Sequence, residues 1–447
     1  MENLKEATVS SKSLDDAVVT LGTAGAAAKP AKSVKLVSHP LTKALKESGT
    51  QHIYTDTADR AELDDLLTVE ETETSLNVIE EIDGNTTNQV LVARVLDRYL
   101  GEGEDADIVD WVKVMQTAAP DLSLSEAIAL IYTVINGQLG RNLKTYYGTG
   151  KDWEISLELH TNLAPNIEDS KRIGRHLVRM LPGSFVKVAC TPHHPHAFLI
   201  ARDLEREGIP VNFTTTFSAR QVAAAAILSN VTRTNIFMGR LNQGLESELL
   251  GEQVDLVAQR TLNQLRDELN VKTQLIVASI RSWKTMVYAA GCDVFTVPYP
   301  ALKDFLNQTE VSADEIRNRV NDDYSGNLGT SQNVLDKIGK TRLESLYTVE
   351  PEFIVFLKEV RNGSDFDDLD GHGLYQKFAG AGYDDMFYSP TEDDWHELKK
   401  NKLPDLDSPL TAKLALDTLY SLLAFADFTK FQDEMDERIA NRIRRFF

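Results

Sequence analysis

From His52 onward, short runs rich in Val, Ile, Thr and Phe alternate with longer segments whose apolar residues recur at helical spacing. Eight such runs can be counted: HIYTDTA from His52, NVIEEIDGN from Asn77, WEISLEL from Trp153, SFVKVAC from Ser184, PVNFTTTF from Pro210, TNIFMGR from Thr234, TQLIVASI from Thr273 and DVFTVPY from Asp293. Helical patterns fill the gaps, among them HAFLIARDLEREG and SARQVAAAAILSN, the latter opening on Ser218 as its expected N-cap. Repeated βα units predict a parallel sheet. Eight in succession, with no Gly-rich dinucleotide fingerprint, predict a closed (β/α)8 TIM barrel in preference to an open doubly wound sheet.

The flanks read differently. Residues 1–48 mix Ser, Thr, Ala, Gly and Lys with little periodicity, which predicts a flexible N-terminal arm followed by a short helix at HPLTKALKESG. The barrel is expected over 49–345, with a helical insertion between Asn88 and Trp153 that contains QVLVARVLDRYLG and SLSEAIALIYTVINGQLG. Residues 346–447 lose the strand pattern and carry 21 Asp plus Glu against 12 Lys plus Arg, predicting an acidic helical C-terminal extension. Its stretch KLALDTLYSLLAFADF is apolar enough to require a partner surface, either over the barrel mouth or in a dimer.

Composition narrows the function. With 47 Lys plus Arg against 68 Asp plus Glu, the formal charge is −21, a field that repels phosphate backbones and anionic membranes, so neither nucleic acid nor membrane is an expected partner. No apolar run reaches the ~18 residues of a membrane span, and the start MENLKEATVSSK lacks the apolar core of a signal peptide. Two cysteines, Cys190 and Cys292, fit a reducing cytoplasmic setting without a disulfide.

In a barrel of this kind the reacting groups lie at the C-terminal ends of the strands. Strand alternation in SFVKVAC places Lys187 mid-strand among apolar neighbours. Desolvation there penalises an ammonium and favours a free amine able to attack a carbonyl carbon and form a Schiff base; a lysine that snorkels to solvent or pairs with an acid is the plainer alternative. Asn212, Thr214 and Thr216 share one face of their run, and Ser156 and Glu158 share one of theirs. Asp56 interrupts the first run, and Asn85, Thr86, Thr87 and Asn88 follow the second, although each such residue alone also suits a strand, turn or helix cap. Arg240, Ser279 and Arg281 end later runs; two arginines with hydroxyls suit a phosphate, or equally a salt bridge to the abundant acids.

In this order the motifs YTDTADRAEL, IDGNTTNQVLV, SLELHT, VKVACT, GIPVNFTTTFSARQ, FMGR and VASIR resemble the transaldolase family, class I Schiff-base enzymes, over roughly Pro40 to Phe305. The resemblance implies that Lys187 is the Schiff-base lysine, that Asp56 handles the proton of the hydroxyl beside the cleaved bond, and that Glu158 and Thr214 hold a proton-shuttling water. It implies Asn88 and Asn212 as partners of substrate hydroxyls, and Arg240, Arg281 and Ser279 as the phosphate site. Phe237 stands where related fructose-6-phosphate aldolases tend to carry a tyrosine, which favours group transfer over simple cleavage. Gln89 replaces a common proline, and Asn235 replaces a common serine near the phosphate residues. The expected activity is transfer of a dihydroxyacetone unit between sugar phosphates in the pentose phosphate pathway, by a monomer or homodimer, with no metal or organic cofactor because lysine itself supplies the electron sink. The alternatives are an aldolase that releases dihydroxyacetone, and a catalytically silent barrel used as a binding module.

Two further signals are read as structural. HHPH at His193–His196 lacks zinc-site spacing and is expected in a surface turn, and SDFDDLDGHG from Ser364 places Asp370 where a calcium loop requires glycine.

Overall fold

A computed structural model describes residues 13–24, 33–71, 75–101, 107–148 and 151–447 of the chain. Eight parallel strands close into a barrel in sequential order: β1 (His52–Asp56), β2 (Gly84–Thr86), β3 (Glu154–Glu158), β4 (Phe185–Ala189), β5 (Val211–Thr216), β6 (Arg233–Phe237), β7 (Gln274–Ala278) and β8 (Val294–Pro298). β8 pairs with β1 over the register His52–Val294 to Asp56–Pro298, which completes the ring. Every position of β5 is buried, as expected of a parallel strand with side chains inside and helices outside. Ser218 caps the helix that follows, its Oγ accepting from the Gln221 amide at 3.2 Å.

The second expected run divides. Its first residues, Asn77–Ile79, belong to a strand Ser75–Ile79 that leaves the barrel and pairs with Ser33–Val37 and Thr68–Glu71 in a separate three-stranded sheet. Only Gly84–Thr86 joins the ring. A side chain at Gly84 would collide with the Glu154 carbonyl, so β2 closes on β3 only with glycine at this point. Period-two alternation marks a strand but carries no information on which sheet receives it.

The N-terminal region also differs from an arm. Leu14–Thr23 is a helix capped by Ser13, with Ala17, Val18 and Leu21 buried against Leu124–Tyr147 and Ile167–Met180. Gln138 Nε2 ties it down by donating to the Leu21 carbonyl at 2.8 Å. Ten residues are too few for helical periodicity to stand out from a Ser/Thr/Ala background. Residues 1–12 and 25–32 of the expected arm lie outside the described residues. The insertion after β2 is helical, chiefly Asp107–Ala118 and Leu124–Tyr147.

The extension is helical as expected, and its principal element is Leu416–Ile443. Leu416, Tyr420, Ala424, Phe428, Met435, Ile439 and Ile443 repeat at helical spacing and join the main core. Another stripe, Leu419, Leu422, Leu423 and Ala426, packs with Leu398, Leu410 and Leu414 in a smaller cluster, so the first half of the helix is buried on both sides. The helix lies across the barrel mouth. Ser421 Oγ donates to the Thr215 carbonyl at 2.8 Å, and Asp436 Oδ1 meets His160 Nε2 at 3.0 Å.

HHPH is not a free surface turn. The His193 ring packs edge-on against Trp395 at 4.9 Å and beside Phe425 at 4.8 Å, both from the extension, whose residence there could not be foreseen from local composition. Cys190 and Cys292 are buried and unbridged. No helix among the described residues is long and apolar enough to cross a membrane.

The firmest anchor of the C-terminal helix is Asp417, which accepts from Arg220 Nε and Nη2 at 2.7 and 2.8 Å and from Ser218 Oγ at 2.7 Å. Burial alone would raise its carboxyl pKa, but Arg220 and the hydrogen bonds outweigh burial and hold it below the usual 3.8. A depressed acid stabilises the fold above its unfolded pKa and loses that contribution as pH falls through the folded value. The protection of the Leu416–Ile443 amides against hydrogen exchange, taken relative to the intrinsic rate at each pH, is therefore expected to fall below about pH 4. Asp417→Ala, which removes two of the Arg220 hydrogen bonds and leaves its pairing with Asp385, should cost about 2 kcal/mol in denaturant unfolding.

Candidate active site

The inner side chains converge on a cavity of about 530 Å³ at the C-terminal mouth of the barrel, under the Leu416–Ile443 helix. Lys187 reaches it from β4 and is 3% exposed. Its Nζ lies 2.9 Å from Glu158 Oε2, its register neighbour on β3, and donates to the Thr87 carbonyl at 3.0 Å. The Phe428 ring from the C-terminal helix stands 5.9 Å away. Glu158 is equally buried, and its Oε1 has no hydrogen-bond partner among the described residues. Burial raises the Glu158 pKa, and the Lys187 ammonium only partly opposes this. A lysine and a carboxylate thus share one dry pocket with little else to solvate either.

Asp56, the last residue of β1, accepts from Thr86 Oγ1 at 2.9 Å, and Thr86 in turn meets Thr296 Oγ1 of β8 at 2.6 Å. Burial raises its pKa above 3.8, with Lys187 the leading opposing influence. On the opposite side, Asn235 Nδ2 donates to Thr214 Oγ1 at 2.9 Å and to Asn212 Oδ1 at 3.3 Å, while Asn212 Nδ2 donates to Ser156 Oγ at 3.1 Å. Lys187 and Asn212 are register neighbours on β4 and β5. The amide of Asn235 is therefore engaged in this network rather than turned toward the arginines. Asn88 lines the cavity and also caps the helix Gln89–Val95, its Oδ1 accepting from the Leu91 amide at 3.0 Å. Asn85 belongs to the scaffold, bonded to the Thr57 carbonyl and to Trp153 Nε1.

The cationic end is built where β6 and β7 stop. β7 does not continue through Ser279, which turns to φ +63°, a rare conformation for a residue with a side chain. Its Oγ is buried without a hydrogen-bond partner. Arg281 lines the cavity and donates to the Ser279 carbonyl at 2.8 Å, making no ion pair among the described residues. Arg240, in the helix Met238–Gly244, has Nη2 2.7 Å from Asp427 Oδ2 of the C-terminal helix and Nη1 buried without a partner. Phe237 closes this end against Phe217 and Phe428, with ring centroids at 5.6 and 6.2 Å.

Of the residues singled out in sequence, Asp56, Asn88, Lys187, Asn212, Asn235, Phe237, Arg240, Ser279 and Arg281 line this cavity, whereas Glu158 and Thr214 stand behind it in contact with Lys187 and Asn235. The contributions not foreseen are Asp427, Phe428 and Lys402 from the extension, Arg94 from the helix after β2, and the Thr87 carbonyl. One signal did exist: Asp427 is the only charge in LLAFADF, an expensive position unless it meets a cation. Among the described residues no group of three or more His, Cys, Asp or Glu could hold a metal ion.

The fold and cavity define a (β/α)8 barrel protein whose interior is organised around a buried lysine. A sequence profile described as transaldolase/fructose-6-phosphate aldolase matches residues 53–344, well over half of the chain, and the chain belongs to that family. It is 33% identical to a probable transaldolase of Paracoccus denitrificans over 147 residues, 32% of this chain and 63% of that protein. Over 172 residues it is 30% identical to a probable transaldolase of Nitrosopumilus maritimus, covering 38% of this chain and 71% of the other. A probable transaldolase of Dictyostelium discoideum shares 25% identity over 236 residues, 50% of this chain and 70% of that protein. The Paracoccus match spans less than two thirds of the relative's length.

Gly239 sets the spacing of the cationic end. A Cβ there would collide with the Ser279 carbonyl and meet Arg281 Cγ at 3.1 Å. Gly239→Ala is expected to displace the Ser279–Arg281 turn and cost about 1–3 kcal/mol, read from the unfolding midpoint.

Proposed function

We propose that this protein is a transaldolase that moves a dihydroxyacetone unit from a ketose phosphate to an aldose phosphate through a Schiff base on Lys187. Sedoheptulose 7-phosphate or fructose 6-phosphate would be the donor, and glyceraldehyde 3-phosphate or erythrose 4-phosphate the acceptor, as in a cytoplasmic pentose phosphate pathway. The observation that carries this reading is the Lys187 amine, 3% exposed and 2.9 Å from Glu158, in one cavity with Asp56, Arg240 and Arg281.

In this reading Glu158 accepts a proton from Lys187, and the free amine attacks the C2 carbonyl. Glu158, with a water held by Thr214, returns protons as the adduct loses its oxygen as water and becomes a protonated imine. The C3–C4 bond then breaks, its electron pair flowing into the imine to form an enamine. Asp56 takes the C4 hydroxyl proton as the aldehyde leaves. The enamine attacks the acceptor aldehyde carbon, Asp56 protonates the new oxygen, and hydrolysis of the imine frees Lys187 and the product ketose. Asn88 and Asn212 hold substrate hydroxyls. Arg240 Nη1, Ser279 Oγ and Arg281 receive the phosphate, a role supported by two buried donors that are otherwise unpartnered.

Borohydride reduction with fructose 6-phosphate followed by peptide mass mapping is expected to find a dihydroxyacetone-derived adduct on the Lys187 peptide. Lys187→Met should lack the adduct and lose at least about a thousandfold in kcat. An absent adduct in the wild-type chain would refute the reading. Release of free dihydroxyacetone at the transfer rate would instead support an aldolase. Because burial holds the Asp56 pKa above 3.8, the acidic limb of kcat/KM should lie above the ordinary aspartate range, and Asp56→Asn should remove that limb and about 10²–10⁴-fold of rate.

A further inference from the structure

The C-terminal helix brings a carboxylate into the end of the cavity assigned above to phosphate. Asp427 Oδ2 lies 2.7 Å from Arg240 Nη2, with the two side chains 19% and 8% exposed, and this is the one polar contact of Asp427 among the described residues. The neighbouring Phe428 is seated over Lys187 and Phe237, so a packed turn presents Asp427 to the cavity. Asp427 uses part of the Arg240 guanidinium, while Nη1 and Ser279 Oγ stay without partners. Arg281, Arg94 and Lys402 line the same cavity and make no ion pair among the described residues.

A dianion landing on Arg240 Nη1, Ser279 and Arg281 would sit close to the Asp427 carboxylate, which with Arg240 is largely withdrawn from water. Like charges at that separation oppose one another, and Asp427 already satisfies part of the Arg240 charge. A neutral terminal hydroxyl meets no such repulsion. We propose that Asp427 is a specificity-determining residue, a built-in competitor for Arg240 that weakens selection of phosphorylated ketoses and admits unphosphorylated ketoses at the same site. The inference rests on the functional reading above, and specifically on its phosphate end.

The test uses full-length protein and two measurements. Inorganic phosphate is titrated calorimetrically at low ionic strength into the wild-type chain and Asp427→Asn, whose amide oxygen can still accept from Arg240. The kcat/KM ratio of fructose 6-phosphate to fructose is then compared between the same two proteins. Asp427→Asn is expected to bind phosphate about tenfold more tightly, an advantage that shrinks with added salt, and to raise the kcat/KM ratio by a similar factor. Asp427→Ser serves the same comparison if the amide variant does not fold. Unchanged or weaker phosphate binding would overturn the proposal, as would no phosphate binding in either protein. A change in both donors that leaves their ratio fixed would also overturn it, because a purely structural role in seating the helix predicts that outcome. Borohydride trapping at Lys187 separates the two failures: with the adduct present only the Asp427 assignment falls, and with it absent the transaldolase reading falls as well.

Discussion

One ammonium inside a barrel constrains most of what surrounds it. Removing Lys187 from water is tolerated because Glu158 stands across the β3–β4 register as an ion-pair partner at 2.9 Å and the Thr87 carbonyl accepts a hydrogen bond at 3.0 Å. Both partners depend on where neighbouring strands stop. The Thr87 carbonyl follows the short strand β2, which packs closely on β3 because Gly84 has no side chain to meet the Glu154 carbonyl. The same dryness that makes the ammonium costly also raises the Glu158 and Asp56 carboxyls, so three groups able to exchange protons are assembled by one act of burial.

The roof over this pocket comes from the far end of the chain. The Leu416–Ile443 helix is fixed at one end by Asp417 in the grip of Arg220 and Ser218, in the middle by Ser421 on the Thr215 carbonyl, and farther along by Asp436 on His160. Between these anchors it delivers Phe428 over Lys187 and Asp427 to Arg240. The extension therefore belongs to the cavity physically: its apolar stripe completes the main core, and its acid completes the charge arrangement of the mouth.

Strand ends supply the rest. Thr215 and Ser279 adopt φ values of +60° and +63°, uncommon for residues with side chains, where β5 slips register against β6 and where β7 stops. Each turn frees a backbone carbonyl for a specific contact, Thr215 with Ser421 and Ser279 with Arg281. Gly239 then allows the loops after β6 and β7 to approach closely enough for Arg240 and Arg281 to line one cavity.

Local sequence determined the eightfold βα alternation, the inward positions of Lys187, Glu158, Asn212 and Thr214, and the caps at Ser218 and Asn88, because strand period, helix period and capping are short-range properties of a few consecutive residues. Tertiary structure decided what those properties cannot encode. NVIEE has the β-branched residues of a barrel strand yet its first three residues pair with Lys35–Val37, HHPH has the composition of a surface turn yet lies beneath Trp395, and Leu14–Thr23 forms a helix where composition suggested an arm. Asp427 meets Arg240 across 187 positions of chain. Such pairings depend on which distant surface is left uncovered once the barrel has closed, and that is a property of the assembled core rather than of any segment within it.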